Sequence, residues 1–308
     1  MNSSRICLIT NDVETTSLWN HCLSDKTGEI VLKEGMPRLL SLYKDFNIKA
    51  TFFFTGYIAK KFPEIVRMVI PEGHEVGCHG YSHHYNQAFD CLTYEEQLNI
   101  LIKSKKILED ISGQEVISFR APALRINEYT PKALIMSGFL IDSSVASQRG
   151  DMFFSLGSKR KLDWLSAPRL PYLTSTENLC KRGQSPIFEI PISAFLFPYI
   201  GTILRIAPAV TCCLRELLHI ENCMTGKPLV FLIHPNEIIH EDIIMSKIDR
   251  RSKNILHYLL SDILRYKIKL RNLGEKAILL YEQELSNLSR KKYKFITCKE
   301  YYEIKIGN

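Results

Sequence analysis

The sequence predicts an α/β protein whose parallel strands curl into a barrel rather than lie in an open sheet. Three observations carry this. Short apolar runs alternate with helix-patterned segments along the chain. Six or seven such units suit 308 residues, the size of one large barrel. Five of the apolar runs also end in residue types that do chemistry, and reactive groups collect at strand ends in parallel α/β folds. No linker or low-complexity stretch divides the chain, so residues 1–308 read as one domain.

Arg5–Thr10 is the first buried strand, and Gly35–Phe46 has helical spacing with Pro37 in its first turn. Ala50–Thr55 is a second strand, Ala59–Ile70 a helix and Glu75–His79 a third strand. Thr93–Ile111 carries the clearest helix signal. Thr93 and Glu96 form a capping box, and Leu98, Leu101, Leu108 and Ile111 share a face. Val116–Phe119 and Phe139–Asp142 are strands flanking a helix over Pro131–Ser137. Ile187–Ile192 and Leu229–Ile233 are further strands. A helical region over Lys247–Ser289 breaks near Gly274, and Lys294–Ile296 with Glu300–Tyr302 closes the chain as strand and helix.

Composition is ordinary for a globular protein, with 45% hydrophobic and 24% charged residues, which excludes a disordered, collagenous or coiled-coil chain. Nine cysteines are an odd number without C-x-x-C spacing, which argues against a fully paired disulfide framework and a zinc ribbon. MNSSRICLIT runs straight into a strand-like segment with no room for a signal peptide, so a cytoplasmic setting is expected, with a peripheral seat at the membrane surface as its variant. The net charge of +7 is uneven: Met245–Asn308 holds 15 Lys+Arg against 7 Asp+Glu, and the rest is nearly balanced. That segment reads as the solvated face of a long helix. No nucleic-acid motif accompanies it, so no nucleic-acid partner is expected. Ile187–Val210 is long and apolar, but Glu189, Arg205 and three prolines argue for a strand, loop and helix instead of a membrane span.

The chemistry sits at the strand ends. His79 and His83 are four apart, a spacing that suits two ligands of one metal in a helical turn or tight loop. Alone the pair is weak, and an acidic third ligand strengthens it. Asp12 and Glu14 are two apart at a strand end, so both face one side if the strand continues. Two histidines and a carboxylate leave a coordination position for water, whose pKa a metal lowers from about 15.7 to roughly 7. The second carboxylate would then serve as base. Arg120 would hold a nearby carboxylate ionised, Pro122 would stiffen the turn, and the Ala123 N–H would meet a developing oxyanion. His234 fits a general acid, with Asp142 orienting it. Trp19, Trp164 and Tyr172 read as packing residues before sugar-stacking ones.

These segments resemble five ordered motifs of the polysaccharide deacetylase family, the NodB-homology carbohydrate esterases: TNDVE (10–14), HGYSH (79–83), FRAP (119–122), DSS (142–144) and LIHP (232–235). KATFFFTG (49–56) and KFITCKEYYE (294–303) agree. The resemblance implies a distorted (β/α) barrel of about seven parallel strands and metal-dependent hydrolysis of an N-acyl group on an amino sugar. It implies Asp12 as base tethered by Arg120, His79 and His83 as metal ligands, and His234 as acid tuned by Asp142. The commoner first motif has two adjacent acids. Val13 stands in the second place here, so Glu14 becomes the third ligand by the D-x-D/E variant. Zinc is the divalent ion expected, and the substrate an N-acetylated sugar of a polysaccharide or glycan precursor. A lipid-linked amino sugar at the membrane surface and an inactive sugar-binding barrel are the alternatives.

Overall fold

The computed structural model describes residues 5–18, 23–150, 162–240, 268 and 270–307. In chain order its strands are β1 Ile6–Val13, β2 Ala50–Phe54, β3 Glu75–Cys78, β4 Ser118–Phe119, β5 Ile141–Asp142, β6 Tyr172–Leu173, β7 Phe188–Glu189, β8 Ala194–Phe195, β9 Phe197–Pro198, β10 Leu229–Ile233 and β11 Lys294–Phe295. The main sheet is ordered β10–β1–β2–β3–β4–β5–β7–β6, with β11 also on β1. From β10 to β7 every ladder is parallel, which makes the seven parallel strands expected; β6 runs antiparallel on β7. Among the described residues no ladder joins β6 to β10, so the sheet is a curled half-barrel. The segment 193–200 spans part of the gap. Ser193 N–H donates to Val230 O at 3.2 Å, Val230 N–H donates to Ser193 Oγ at 2.9 Å, and Ile200 bridges Leu232.

Two apolar clusters follow from strand alternation. One face of the sheet is filled by Leu8, Phe53, Ile117, Ile141, Phe188, Ile190 and Val230, closed below by Ile296 and Tyr301. This is the barrel interior. The other face, with Ile9, Phe52, Phe54 and Phe231, packs under the helices. Along β1 the inward positions are Leu8, Thr10 and Asp12, so that strand passes from apolar floor to polar mouth within five residues.

The helix 94–112 is built as its sequence dictates. Thr93 Oγ1 accepts the Glu96 N–H at 3.3 Å, and Glu96 Oε2 accepts the Thr93 N–H at 2.8 Å. Gly113, at φ 67°, ends it in the left-handed region that a side chain disfavours. The helix expected over 59–70 is two pieces, Gly56–Lys61 and Glu64–Arg67, because Pro63 cannot continue the first. The helix expected from Gly35 begins earlier. Asp25–Ile30 leads through a π-helical turn, Val31–Gly35, into Met36–Asp45. A Cβ on Gly35 would stand 2.8 Å from the Pro235 carbonyl oxygen, so bare backbone is needed there. Ile187–Val210 folds as β7, the β8–β9 hairpin and the helix Gly201–Ile206. No helix among the described residues is long and apolar enough to cross a membrane. Of the helical region expected over Lys247–Ser289, Glu275–Arg290 is a helix, whereas 247–267 and Trp19 lie outside the described residues. Trp164 and Tyr172 are buried.

Candidate metal and proton-transfer site

Four strand ends meet at the mouth of the half-barrel. Asp12 closes the inward row of β1, and Glu14, two residues on, shares its side. His79 follows β3, and Gly80 turns the chain at φ 64° with Pro122 Cγ 3.1 Å from where its Cβ would be. That turn folds His83 back over His79, their Nε2 atoms 3.0 Å apart. Glu14 Oε2 lies 2.6 Å from His83 Nε2. One ligand atom each from Glu14, His79 and His83 falls within 4.8 Å of the other two.

The donor chemistry of this cluster fits a divalent cation. His79 Nδ1 is 2.8 Å from the Arg120 carbonyl oxygen, so Nδ1–H donates there and Nε2 keeps its lone pair for a ligand. Burial above all holds the His79 imidazole neutral, with a pKa lowered to about 4. Burial works against the Glu14 charge, yet His83, then His234 and His79, hold its carboxyl down at about 2. Two imidazole nitrogens and one carboxylate make the mixed N/O set that suits zinc and related ions.

Asp12 sits beside this cluster, its Oδ2 3.7 Å from His79 Nε2 and 4.0 Å from His234 Nε2. Its Oδ1 accepts from Arg120 Nη1 at 2.9 Å. Arg120 is fully buried and has donors to spare: Nη1 also reaches Thr10 Oγ1 at 2.9 Å, Nε reaches Ser143 O at 2.9 Å, and Nη2 reaches Ser143 Oγ at 2.7 Å. Its guanidinium lies 4.4 Å from the centre of the Phe53 ring. Desolvation raises the Asp12 pKa, but Arg120, then His79 and His234, outweigh it and hold the carboxyl below its ordinary range.

Pro122 and Ala123 follow β4. Ala123 (φ 52°) and Leu124 (φ 56°) are both left-handed, an unusual pair of non-glycine residues that exposes the Ala123 backbone. Its N–H has no hydrogen-bond partner among the described residues.

The expected pairing of Asp142 with His234 is corrected by the structure. Ile141 points into the barrel interior, so Asp142, the next residue, points to the opposite face. There it opposes Glu189 across the β5–β7 register. Asp142 Oδ1 accepts from Ser144 Oγ at 2.6 Å, Ser144 Oγ accepts the Ala121 N–H at 2.9 Å, and Glu189 Oε1 accepts the Val145 N–H at 3.1 Å. Burial raises both carboxyl pKa values, and the Asp142 charge pushes Glu189 further up.

Glu237 occupies the position beside His234 instead. Its Oε1 is 3.7 Å from His234 Nδ1, 2.6 Å from Thr202 Oγ1 and 3.3 Å from Arg205 Nη2. The sequence holds a signal for it. Pro235 starts a 3₁₀ turn, Pro235–Glu237, in which the third residue after His234 comes back under the ring. Burial opposes both charges. Arg205 and His234 nonetheless hold Glu237 down at about 2, and Glu237, then Asp12 and Glu14, hold His234 up at about 9.

Fold and cluster together define a class, a parallel half-barrel with a Glu–His–His set at its mouth and an Asp–Arg pair beside it. Residues 25–139 match the model of the family described as polysaccharide deacetylase. A peptidoglycan deacetylase of Helicobacter pylori is 35% identical over 111 residues, 36% of this chain and 37% of that protein. A peptidoglycan deacetylase-like protein of Gibberella zeae is 30% identical over 205 residues, 61% of this chain and 57% of that one. The chain thus spans between a third and three-fifths of the length of these curated relatives. In fold it is similar to a protein of Pseudomonas aeruginosa described as a probable polysaccharide deacetylase, with a TM-score of 0.60, 14% identity and coverage of 99% and 93% of the two chains. Over residues 25–139 this chain is therefore similar to the polysaccharide deacetylase family, and two of its five motifs, HGYSH (79–83) and FRAP (119–122), fall inside that stretch.

Proposed function

We propose that this protein is a divalent-metal-dependent hydrolase that removes an N-acyl group, chiefly N-acetyl, from an amino sugar of a polysaccharide or glycan precursor. One observation carries the reading: Glu14, His79 and His83 converge at the barrel mouth with Asp12 and His234 facing the same space. The relatives named as peptidoglycan deacetylases support it.

Glu14, His79 and His83 would hold the cation, zinc by the donor set, which when bound supplies Lewis acidity to an amide carbonyl and to water. Asp12, ionised beside Arg120, takes the proton of the attacking water as its oxygen bonds to the acyl carbon. The Ala123 N–H, with Pro122 fixing the turn, donates to the oxyanion. His234 gives its Nε2 proton to the sugar nitrogen as the C–N bond breaks, leaving a carboxylic acid and a free amine. Asp142 acts from behind, steadying the 120–124 turn through Ser144.

Acetate release from N-acetylglucosamine oligomers and peptidoglycan tests this. Release is expected with bound metal, should stop on chelation and should return with zinc. No acyl release from a panel of N-acylated sugars, lipid-linked ones included, by metal-loaded protein overturns the proposal.

A further inference from the structure

The imidazole of His234 has two nitrogens with different surroundings. Nε2 faces the site, 4.0 Å from Asp12 Oδ2, and Nδ1 faces Glu237. Among the described residues Glu237 pairs with His234, Thr202 and Arg205 and with none of Glu14, His79 or His83, and it is 1% exposed. Thr202 and Arg205 both converge on its Oε1, the oxygen turned toward Nδ1. Arg205 is itself fixed, since its Nη1 donates to Arg271 O at 2.8 Å and its own carbonyl accepts from Asn272 Nδ2 at 2.7 Å. Gly201 makes room, because a Cβ there would overlap Glu237 Oε2. Burying an Arg–Glu pair costs desolvation that packed apolar side chains would avoid. Such a pair aimed at an imidazole therefore asks for a role beyond stability.

We propose that Glu237, pinned by Thr202 and Arg205, is a positioning residue for His234. It orients the ring through its charge, with Oε1 3.7 Å from Nδ1, so that the proton to be delivered sits on Nε2, toward Asp12 and the scissile nitrogen. This deepens the proposed reaction and rests on the reading of His234 as proton donor. The charged groups facing His234 are Glu237 on one side and Asp12 and Glu14 on the other, so the ring is polarised along the line from Glu237 into the site.

Glu237→Gln, Glu237→Asp and wild type test it in two assays. In acyl release, Glu237→Gln should lower kcat about 10²-fold with KM and metal content near wild type, and Glu237→Asp should recover part of that loss. The alkaline limb of the pH profile should move to lower pH in Glu237→Gln, because an imidazolium without its carboxylate gives up its proton sooner. The second assay needs no substrate. The His234 titration followed by NMR should have its midpoint near 9 in wild type and fall toward 6.5 in Glu237→Gln. A wild-type kcat together with an unmoved midpoint in Glu237→Gln overturns the proposal. Failure of wild-type protein to release any acyl group counts against the proposed reaction alone, and the midpoint then still decides the role of Glu237. Should Glu237→Gln not fold, the same comparison is read on Thr202→Val, with a smaller fall expected and no fall overturning it.

Discussion

Two acid pairs flank the mouth of this half-barrel, and they behave in opposite ways. Asp12 and Glu14 lie on the long-stranded side, two residues apart on one face, among a guanidinium and three imidazoles; both carboxyl groups are held below their ordinary range. Asp142 and Glu189 lie on the side where strands are two residues long, face to face across a ladder, with no cation in hydrogen-bond reach among the described residues; both are raised. Residue type is the same in all four. What differs is strand parity, which puts one pair inside the barrel and the other behind it, and the company each then keeps.

The largest effect should separate the two aspartates by activity. Asp12→Asn should lower kcat/KM about 10²–10⁴-fold. Asp142→Asn, which keeps an acceptor for Ser144, should change it by less than about tenfold, some 1.4 kcal/mol. Steady-state acyl release on metal-loaded variants measures both, and equal losses would erase the distinction between the pairs.

Stability is the next arena. Glu189→Ala leaves the Asp142 carboxylate buried without its partner and the Val145 N–H without its acceptor, a loss of about 3 kcal/mol in chemical unfolding. Glu189→Gln keeps a donor for Asp142 and should cost less than about 1 kcal/mol. The pH dependence sharpens this. Glu189 keeps its proton in the folded protein at pH values where the unfolded chain has released it. That contribution is full below the ordinary glutamate value of 4.5 and shrinks as pH rises toward the raised folded value. The wild type should therefore lose stability relative to Glu189→Gln as pH climbs from 4.5, and parallel curves would show that the folded protein does not hold that proton.

A smaller effect is expected well away from both pairs. Thr93→Ala removes one half of the capping box and should cost about 1 kcal/mol, read from the unfolding midpoint, with acyl release unchanged.

How much of this the sequence discloses follows from the same parity. Asp12 and Glu14 are legible because a separation of two fixes a common face wherever an eight-residue strand points. The histidine pair is legible because a separation of four suits one metal in either a helical turn or a tight loop, and Gly80 makes it the loop. Asp142 misleads because β5 is two residues long and its facing is set by Ile141 packing into the interior, which no local pattern encodes. Glu237 lies in plain view three residues after His234, but reading HP as a complete motif passes over the turn that Pro235 starts. Pro63 and the π-helical turn show the same limit for helices, where periodicity gives existence and tertiary fit decides continuity.

Gly35 gives the turn after His234 a neighbour with no functional group at all. The π-helical turn swells the helix just where its backbone passes the Pro235 carbonyl, one residue beyond His234. Bare backbone at Gly35 therefore lets this helix lie directly against the turn that follows His234. Even a single methyl introduced there would press on the Pro235 carbonyl and push against the turn that carries Glu237.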